Sequence, residues 1–509
     1  MLELKNVTIR LKSDGRKLVD QFSFTLQKGD KAVIIGEEGN GKSTLLKFIY
    51  DREMIRAYCD WEGVVVSRKR MAYLPQMLPA AYCNQTLAEF FEDKESYRYM
   101  DVLSQLGLTL DFIYSDQTLG SLSGGEKVKV QLAKLCMEEP DLLLLDEPTN
   151  DLDIPTLKWL EQFISASKIP ILFISHDETL IEKTANVILH MEQLIRKSVC
   201  RISVIRCPYR EYLSRRQRQF EHQEQVAQKQ RDDYDKQMEK WQQIYNRVDH
   251  EQRTITRQNP GGARLLKKKM HAVMAMGKRF ERERENFLDF PEQEDAILTK
   301  FDENIHLPHS KTILDFTLDS LAVGSRRLSR NIQLHVSGNQ HIGITGRNGA
   351  GKSTLLALIW SELKERKDIT VSYMPQEYHE ILDYEKTPIE FLAESQTKEV
   401  ITKARTFMGS MRFTHEEMTG RIGNLSGGQK AKILFLDMVL KQSDVLLLDE
   451  PTRNFSPLSG PVVRDALKRF GGAIISISHD RKYLREACDI VYELTENGLQ
   501  AIHAVDGVI

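Results

Sequence analysis

The sequence predicts an α/β fold built twice in one chain, the two copies joined by a long antiparallel α-helical hairpin. Three observations carry that expectation. A set of short motifs occurs twice in the same order, the last three at matching spacings. Short apolar runs enter glycine-rich loops that are followed by helical periodicity. A strongly basic connector separates the copies.

The repeat is explicit. Gly36-Glu-Glu-Gly39-Asn40-Gly41-Lys42-Ser43-Thr44 returns as Gly346-Arg-Asn348-Gly349-Ala-Gly351-Lys352-Ser353-Thr354. Leu122-Ser123-Gly124-Gly125-Glu126 returns as Leu425-Ser426-Gly427-Gly428-Gln429, and Leu142–Thr149 returns as Val445–Thr452. From the serine of the second motif to Glu147 or Glu450 is 24 residues in both copies, and from there to His176 or His479 is 29 in both. A period of about 300 residues in a chain of 509 means a duplicated domain. The expected division is 1–205 for the first copy, 206–305 for the connector and 306–509 for the second copy.

Within each copy the elements follow from the pattern. Lys31–Ile35 and Gln340–Thr345 are short, β-rich runs entering the glycine loop, and Leu45–Tyr50 and Leu355–Trp360 follow it at helical spacing. Leu142–Leu145 and Ile169–Ser175 are nearly all apolar, as strands buried on both faces of a parallel sheet are. Strand, glycine loop, helix is the context that gives G-x-x-x-x-G-K-[ST] its meaning.

Composition narrows the class. Hydrophobic content of 41% and charged content of 28% fit a water-soluble globular chain. No apolar run of 18 residues predicts a membrane-spanning helix, and Met1–Asn6 lacks the basic-then-apolar order of a signal peptide. Cys59, Cys83, Cys136, Cys200, Cys207 and Cys488 show no metal-binding spacing and read as reduced thiols. A cytoplasmic protein is expected.

The loops predict phosphate binding. Their glycines let backbone N–H groups close around phosphates, and Lys42 and Lys352 would reach the β- and γ-phosphates. Ser43 and Ser353 would ligate Mg²⁺, together with Asp146 and Asp449 at the ends of apolar strands. Glu147 and Glu450 follow, placed to orient or deprotonate an attacking water. His176 and His479 would sense the γ-phosphate, and Gln76 and Gln376, each closing a Tyr-x-Pro-Gln run, would sit near metal and water. ATP and Mg²⁺ are the implied ligands.

Together these motifs resemble the ABC ATPases, and two cassettes in one chain with a charged connector resemble the ABC-F subfamily. The resemblance covers essentially the whole chain. It implies a monomer whose halves pair head to tail, each ATP lying between one phosphate loop and the opposite signature. One site would use Lys42 with Ser426–Gln429, the other Lys352 with Ser123–Glu126. ATP would close the halves and hydrolysis would reopen them. Two departures stand out. Neither Ile9–Leu18 nor Leu318–Leu328 holds the aromatic that usually stacks on adenine, so no strict preference for ATP over GTP is expected. The regular Asn150-Asp-Leu-Asp153 is replaced in the second copy by Arg453-Asn-Phe-Ser-Pro457, which predicts unequal sites with the Lys42 site altered.

The connector Arg206–Arg284 carries 20 Lys and Arg against 11 Asp and Glu, although the whole chain is at −2. Tyr209–Asp249 and Ala263–Phe290 read as two helices with a narrow apolar seam, broken at Asn259-Pro-Gly-Gly262. The seam residues would be Phe220, Val226/Ala227, Tyr234, Met238, Trp241, Tyr245 and Val248 against Leu266, Met270, Val273/Met274, Gly277 and Phe280/Phe287. Arg247, Arg253, Arg257, Arg264, Lys267, Lys268 and Lys269 are the candidate contacts to RNA backbone. No aromatic lies in Arg253–Arg279, so base stacking is not expected there.

By resemblance, this connector enters the exit site of the 70S ribosome and meets P-site tRNA and 23S rRNA near the peptidyl-transferase centre. The run after the second Asp-Glu pair resembles the Lsa-type resistance proteins of Gram-positive bacteria, which protect ribosomes from lincosamides, streptogramin A and pleuromutilins. Three other readings stay open: a drug-independent ABC-F translation factor, the ATPase subunit of a membrane exporter, and a DNA-repair ATPase.

Overall fold

Each glycine loop is fed by a five-residue strand, Lys31–Ile35 or His341–Thr345, with every residue buried. In this computed structural model, residues 2–67, 70–91, 100–150, 152–194, 199–254, 260–285, 287, 307–324, 326–393, 397–411 and 413–502 are described. Arg257, one of the expected RNA contacts, lies outside them.

The first cassette's sheet runs, edge to edge, Met71–Leu74, Leu142–Asp146, Ile171–Ile174, Lys31–Ile35, Val187–Leu194 and Val199–Ile205. The second repeats that order with Val371–Met374, Val445–Asp449, Ala473–Ile477, His341–Thr345, Ile490–Thr495 and Gly498–Ile502. Five strands are parallel and the last is antiparallel in each. The loop strand is therefore flanked on one side by the strand preceding the histidine and lies two places from the Asp-Glu strand. That order brings the motifs to one carboxyl-end edge, where ligands of parallel sheets bind.

A smaller antiparallel layer covers each sheet. Leu2–Leu11 pairs with Lys17–Leu26 and Cys59–Ser67 in the first cassette, and Thr312–Val323 pairs with Arg326–Ser337 in the second. The cores sit between these layers: Leu4, Ile9, Leu26, Leu45 and Leu144 are buried together in one, Ile313, Ile332, Leu355 and Leu447 in the other. A further core under the second signature helix gathers Met408, Phe435, Leu448 and Tyr483.

Packing divides the chain into two units, Met1–Tyr209 with Glu294–Ile509, and Arg210–Gln293. Within the first, the cassettes meet along a seam of buried charge. Arg464 Nη1 donates to Glu178 Oε1 at 2.5 Å and its Nε to Glu486 Oε2 at 2.7 Å. Lys482 Nζ donates to Glu178 Oε2 at 2.9 Å and also to Glu182. Arg481 pairs with Glu161 and lies 3.5 Å from Asp177. The first cassette supplies only carboxylates to these crossings and the second supplies the cations. Gly460 leaves room for Glu178, whose Oε1 would stand 2.6 Å from any Cβ there.

The second unit is a helical hairpin. Its helices run Tyr209–Thr254 and Pro260–Glu285, 46 and 26 residues, so the second is about 39 Å long. The expected break at Pro260-Gly-Gly262 is instead the first turn of the second helix. A proline is tolerated at that point because the missing N–H would have no intrahelical acceptor. The seam is led by Ala227, Val248, Leu266 and Val273, all buried, whereas Met274 is half exposed and does not join it. Trp241 Nε1 donates to Val273 O at 2.7 Å, and Tyr234 meets Phe287 edge-on at 5.7 Å.

Gly277 lies directly beneath the Trp241 ring, whose Cε2 and Cζ2 would stand 3.0 Å from a Cβ there. Replacing it with valine should cost the hairpin about 1–3 kcal/mol through overpacking. Hydrogen exchange is expected to quicken along both helices with the cassette strands unchanged; unchanged exchange around Trp241 would contradict the packing.

Candidate nucleotide site and its relatives

The two phosphate loops are built on backbone conformations that side chains resist. Gly36 and Gly346 have φ of 144° and 146°, and a Cβ on either would run into the carbonyl oxygen of Met191 or Leu494. Gly41 and Gly351, both at φ 92°, open the helices Lys42–Tyr50 and Lys352–Leu363. Gly39 and Gly349 are left-handed too, at 78° and 74°. Asn40 is buried and ties the first loop down by donating to Met191 O at 3.0 Å.

Both loop lysines fold back on their own loops. Lys42 Nζ donates to Gly36 O at 2.7 Å and Glu37 O at 3.0 Å, and Lys352 Nζ to Gly346 O at 2.9 Å and Arg347 O at 3.0 Å. Each ammonium is thus held inside a ring of backbone, positioned to meet an anion that enters the loop.

The Asp-Glu pairs end fully buried strands, Leu142–Asp146 and Val445–Asp449. Glu147 and Glu450 adopt positive φ of 50° and 52°, a strained conformation for a side-chain-bearing residue, found where structure over-determines it. Their amides are satisfied by Ile174 O at 3.1 Å and Ile477 O at 2.9 Å, on the strand before each histidine.

From here the copies diverge. Around Glu147 the polar network is closed: Gln76 Nε2 donates to Oε2 at 2.9 Å, Asn150 Nδ2 to Oε2 at 2.7 Å, and His176 Nε2 lies 3.2 Å from Oε1. His176 Nδ1 then reaches across to Phe455 O of the second cassette at 2.6 Å. Burial would raise the Glu147 carboxyl, but His176 and Lys42 beside it outweigh burial and hold it down at about 2. Glu450 moves the opposite way: burial and the neighbouring Asp449 push it up against the pull of Lys352. Its oxygens are held more loosely, with His479 N at 3.3 Å, Ser478 Oγ at 3.4 Å and His479 Nε2 at 3.9 Å. Burial and Lys352 press the His479 imidazole down to about 3.

The residues present fit Mg²⁺, a hard cation that takes one or two carboxylates alongside substrate phosphates. Ser43 Oγ already donates to Asp146 Oδ1 at 2.9 Å, and Tyr73 OH to Oδ2 at 3.1 Å. Ser353 stands near Asp449 and acts to lower its carboxyl against the rise that burial causes, while Asp449 Oδ2 and His479 Nδ1 are buried with no hydrogen-bond partner among the described residues. An ion there would be held by Ser353 and Asp449, or Ser43 and Asp146, and would neutralise phosphate charge.

The sites also differ in what the opposite cassette brings. A cavity of about 500 Å³ surrounds Lys352, Ser353 and Thr354, with Asn348, Gly349, Gly351, Gln376, Asp449, Glu450 and His479 on its wall. The first cassette closes it with Thr149, Asn150, His176 and Asp177. Ser123, Gly124, Gly125 and Glu126 are not part of that wall; Ser123 and Glu126 form a capping box on the helix Gly124–Met137. Val323, Arg326 and Leu328 border the cavity where an adenine-stacking aromatic was missed in the sequence. At the Lys42 loop, with Ser43 and Thr44 behind it, the opposing signature is in contact. Gly428 N donates to Glu38 Oε2 at 2.5 Å, and Lys432 Nζ lies 3.4 Å from Glu37 Oε1. Ser426 and Gln429 form the corresponding capping box, with Gly427 between them and Glu38.

The lost aspartate has a local account. Asp153 caps the helix Ile154–Ala166 through Thr156 N at 3.2 Å and adds negative charge toward Lys352 and His479. In the second cassette the matching residue is Ser456, whose Oγ accepts from Ser459 N at 3.1 Å in the turn before the helix Gly460–Lys468, and that helix has no side-chain cap. A neutral hydroxyl thus replaces a carboxylate.

The ABC transporter family profile matches residues 19–150 and 329–453, one stretch in each cassette. The chain belongs to this family. Similar proteins include members of the F subfamily. It is 28% identical over 502 residues to a probable ATP-binding cassette sub-family F member 3 homolog of Encephalitozoon cuniculi, covering 97% of this chain and 80% of that one. It is 27% identical over 518 residues to the ribosome protection protein VmlR of Bacillus subtilis, covering 98% and 88%. Among solved structures, the archaeal ribosome recycling factor aABCE1 in complex with stalk protein aP1 superposes with a TM-score of 0.61 at 17% identity, covering 98% and 90%, and shows the same tandem fold. The chain is an ATP-binding, ATP-hydrolysing enzyme. No helix among the described residues is long and apolar enough to cross a membrane.

The differences in charge, partners and closure carry a direct consequence for turnover. Glu147→Gln and Glu450→Gln, made separately, should leave unequal ATP hydrolysis, with Glu450→Gln removing the larger share, since losing a base slows its own site by about 10²-fold or more. Equal residual rates would contradict inequality of the sites.

Proposed function

We propose that this chain is an ATP-driven ribosome-binding switch whose basic hairpin enters the exit site near the peptidyl-transferase centre and protects translation from lincosamide, streptogramin A and pleuromutilin antibiotics. The observation that carries this reading is the hairpin's charge. Arg264, Lys267, Lys268 and Lys269 are exposed and without ion pairs among the described residues, whereas Arg247 and Arg253 are engaged by Glu251 at 3.5 Å and Asp249 at 2.9 Å. Unpaired cations clustered at one end repel one another until a polyanion neutralises them, and phosphate contacts supply salt-dependent affinity. Similarity to VmlR over nearly the whole chain supports a ribosomal polyanion rather than duplex DNA.

In this reading Lys42, Lys352 and the two signatures hold the triphosphates, Gln76, Gln376, Glu147 and Glu450 position water, and Mg²⁺ sits at Ser43 with Asp146 and at Ser353 with Asp449. Closure of the cassettes would set the hairpin for ribosome binding, and hydrolysis would release it. The partners would be 23S rRNA and P-site tRNA.

The Glu147→Gln/Glu450→Gln chain is expected to co-sediment with 70S ribosomes in ATP but not in ADP, and wild type to restore in vitro translation blocked by lincomycin. Binding without restoration would favour a drug-independent translation factor. Absence of binding would overturn the ribosomal reading.

A further inference from the structure

The contact between the Lys42 loop and the second signature contains a group that nucleotide binding does not call for. The N-terminus of the 14-residue helix Gly427–Leu440 carries unpaired amides and a partial positive charge, which favour an anion. Ser426 takes the Gln429 amide at 3.3 Å, and the Gly428 amide turns outward to the carboxylate of Glu38. That oxygen would lie 3.2 Å and 3.4 Å from Cβ atoms on Gly427 and Gly428, a tight fit, and a Cβ on Gly428 would also run into Asn454 O at 2.7 Å. Glu37 beside it faces Lys432. The loop of the other copy has Arg347 and Asn348 at these two positions, so the acidic pair belongs to one site alone.

Glu38 sits in the phosphate loop itself, two residues before Asn40 and four before Lys42. An anion reaching from that loop to the opposing helix N-terminus has the same sign of charge as a γ-phosphate. We propose that Glu38 is a tethered competitor of the triphosphate at the Lys42 site. Its carboxylate closes the second signature onto the first loop in the absence of nucleotide and must leave when a nucleoside triphosphate spans the same gap. This rests on Lys42 and Ser426–Gln429 forming one nucleotide site. A diphosphate, having no γ-phosphate, does not meet Glu38, so the penalty falls on triphosphates. The Lys352 site, with Asn348 in that position, carries no such penalty and fills first.

The test uses the full chain with Lys352→Ala, which leaves the Lys42 site to be read alone by calorimetry. Adding Glu38→Gln, or Glu38→Asn to copy the other loop, should tighten a non-hydrolysable ATP analogue about tenfold and change ADP affinity less than about twofold. Unchanged or weaker analogue binding, or equal tightening of ADP, would overturn the competitor role. Adding Lys42→Ala to the Lys352→Ala chain should abolish analogue binding; if binding persists, the site assignment itself fails, whatever Glu38 does.

Discussion

Both candidate nucleotide sites are lined by residues of both cassettes, so their geometry depends on the buried ion pairs where the cassettes meet. Glu178 receives both Arg464 and Lys482, and Arg464 also holds Glu486. Removing either partner from such a buried pair leaves an uncompensated charge, at a cost of about 3–5 kcal/mol. That penalty makes the arrangement specific, because any sliding of one cassette along the other strands several charges together. Glu178 and Arg481 lie on the helices that directly follow the two histidines, Glu178–Thr184 and Arg481–Ala487, and their partners Arg464 and Glu161 on Gly460–Lys468 and Ile154–Ala166. A shift there would be felt at His176 and His479 within one or two residues.

Held in that register, one fold plan yields two different sites. The Lys42 site is closed by contacts: His176 to Phe455 O, Glu38 to Gly428, Glu37 to Lys432. The Lys352 site is a cavity with buried, unpartnered atoms on Asp449 and His479. The asymmetry has a consistent charge logic. The open site receives negative charge from Asp153 of its neighbour, whereas the second cassette has the neutral Ser456 at the matching position and the closed site carries carboxylates in its own loop.

Much of this was legible in the sequence because repetition exposes motif chemistry. Loop, glutamine, signature, Asp-Glu pair and histidine recur in the same order, the last three at fixed offsets, and a buried parallel strand is legible as an unbroken apolar run. The seam was not legible. Glu161, Glu178, Arg464 and Arg481 are charged residues on short helices, and by composition alone they read as solvent-facing; only the docking of one cassette on the other buries them. Glu37 and Glu38 did leave a signal, since they differ in charge from Arg347 and Asn348 at the same loop positions. In the hairpin, periodicity located the seam but misplaced its second start. Glycines that usually end a helix are accommodated in the first turn after Pro260, and the choice between Val273 and Met274 was settled only by packing.

The most direct test of the account is a double-mutant cycle across the seam, with Glu178→Ala, Arg464→Ala and their combination followed by urea unfolding of the full chain. If the pair locks the cassettes, each single change should be strongly destabilising, and the double should be little worse than either. The coupling energy should exceed about 1 kcal/mol. Additive effects with no coupling would mean that the cassettes are held in register by something else, and the account of how the two sites are built would fail with it.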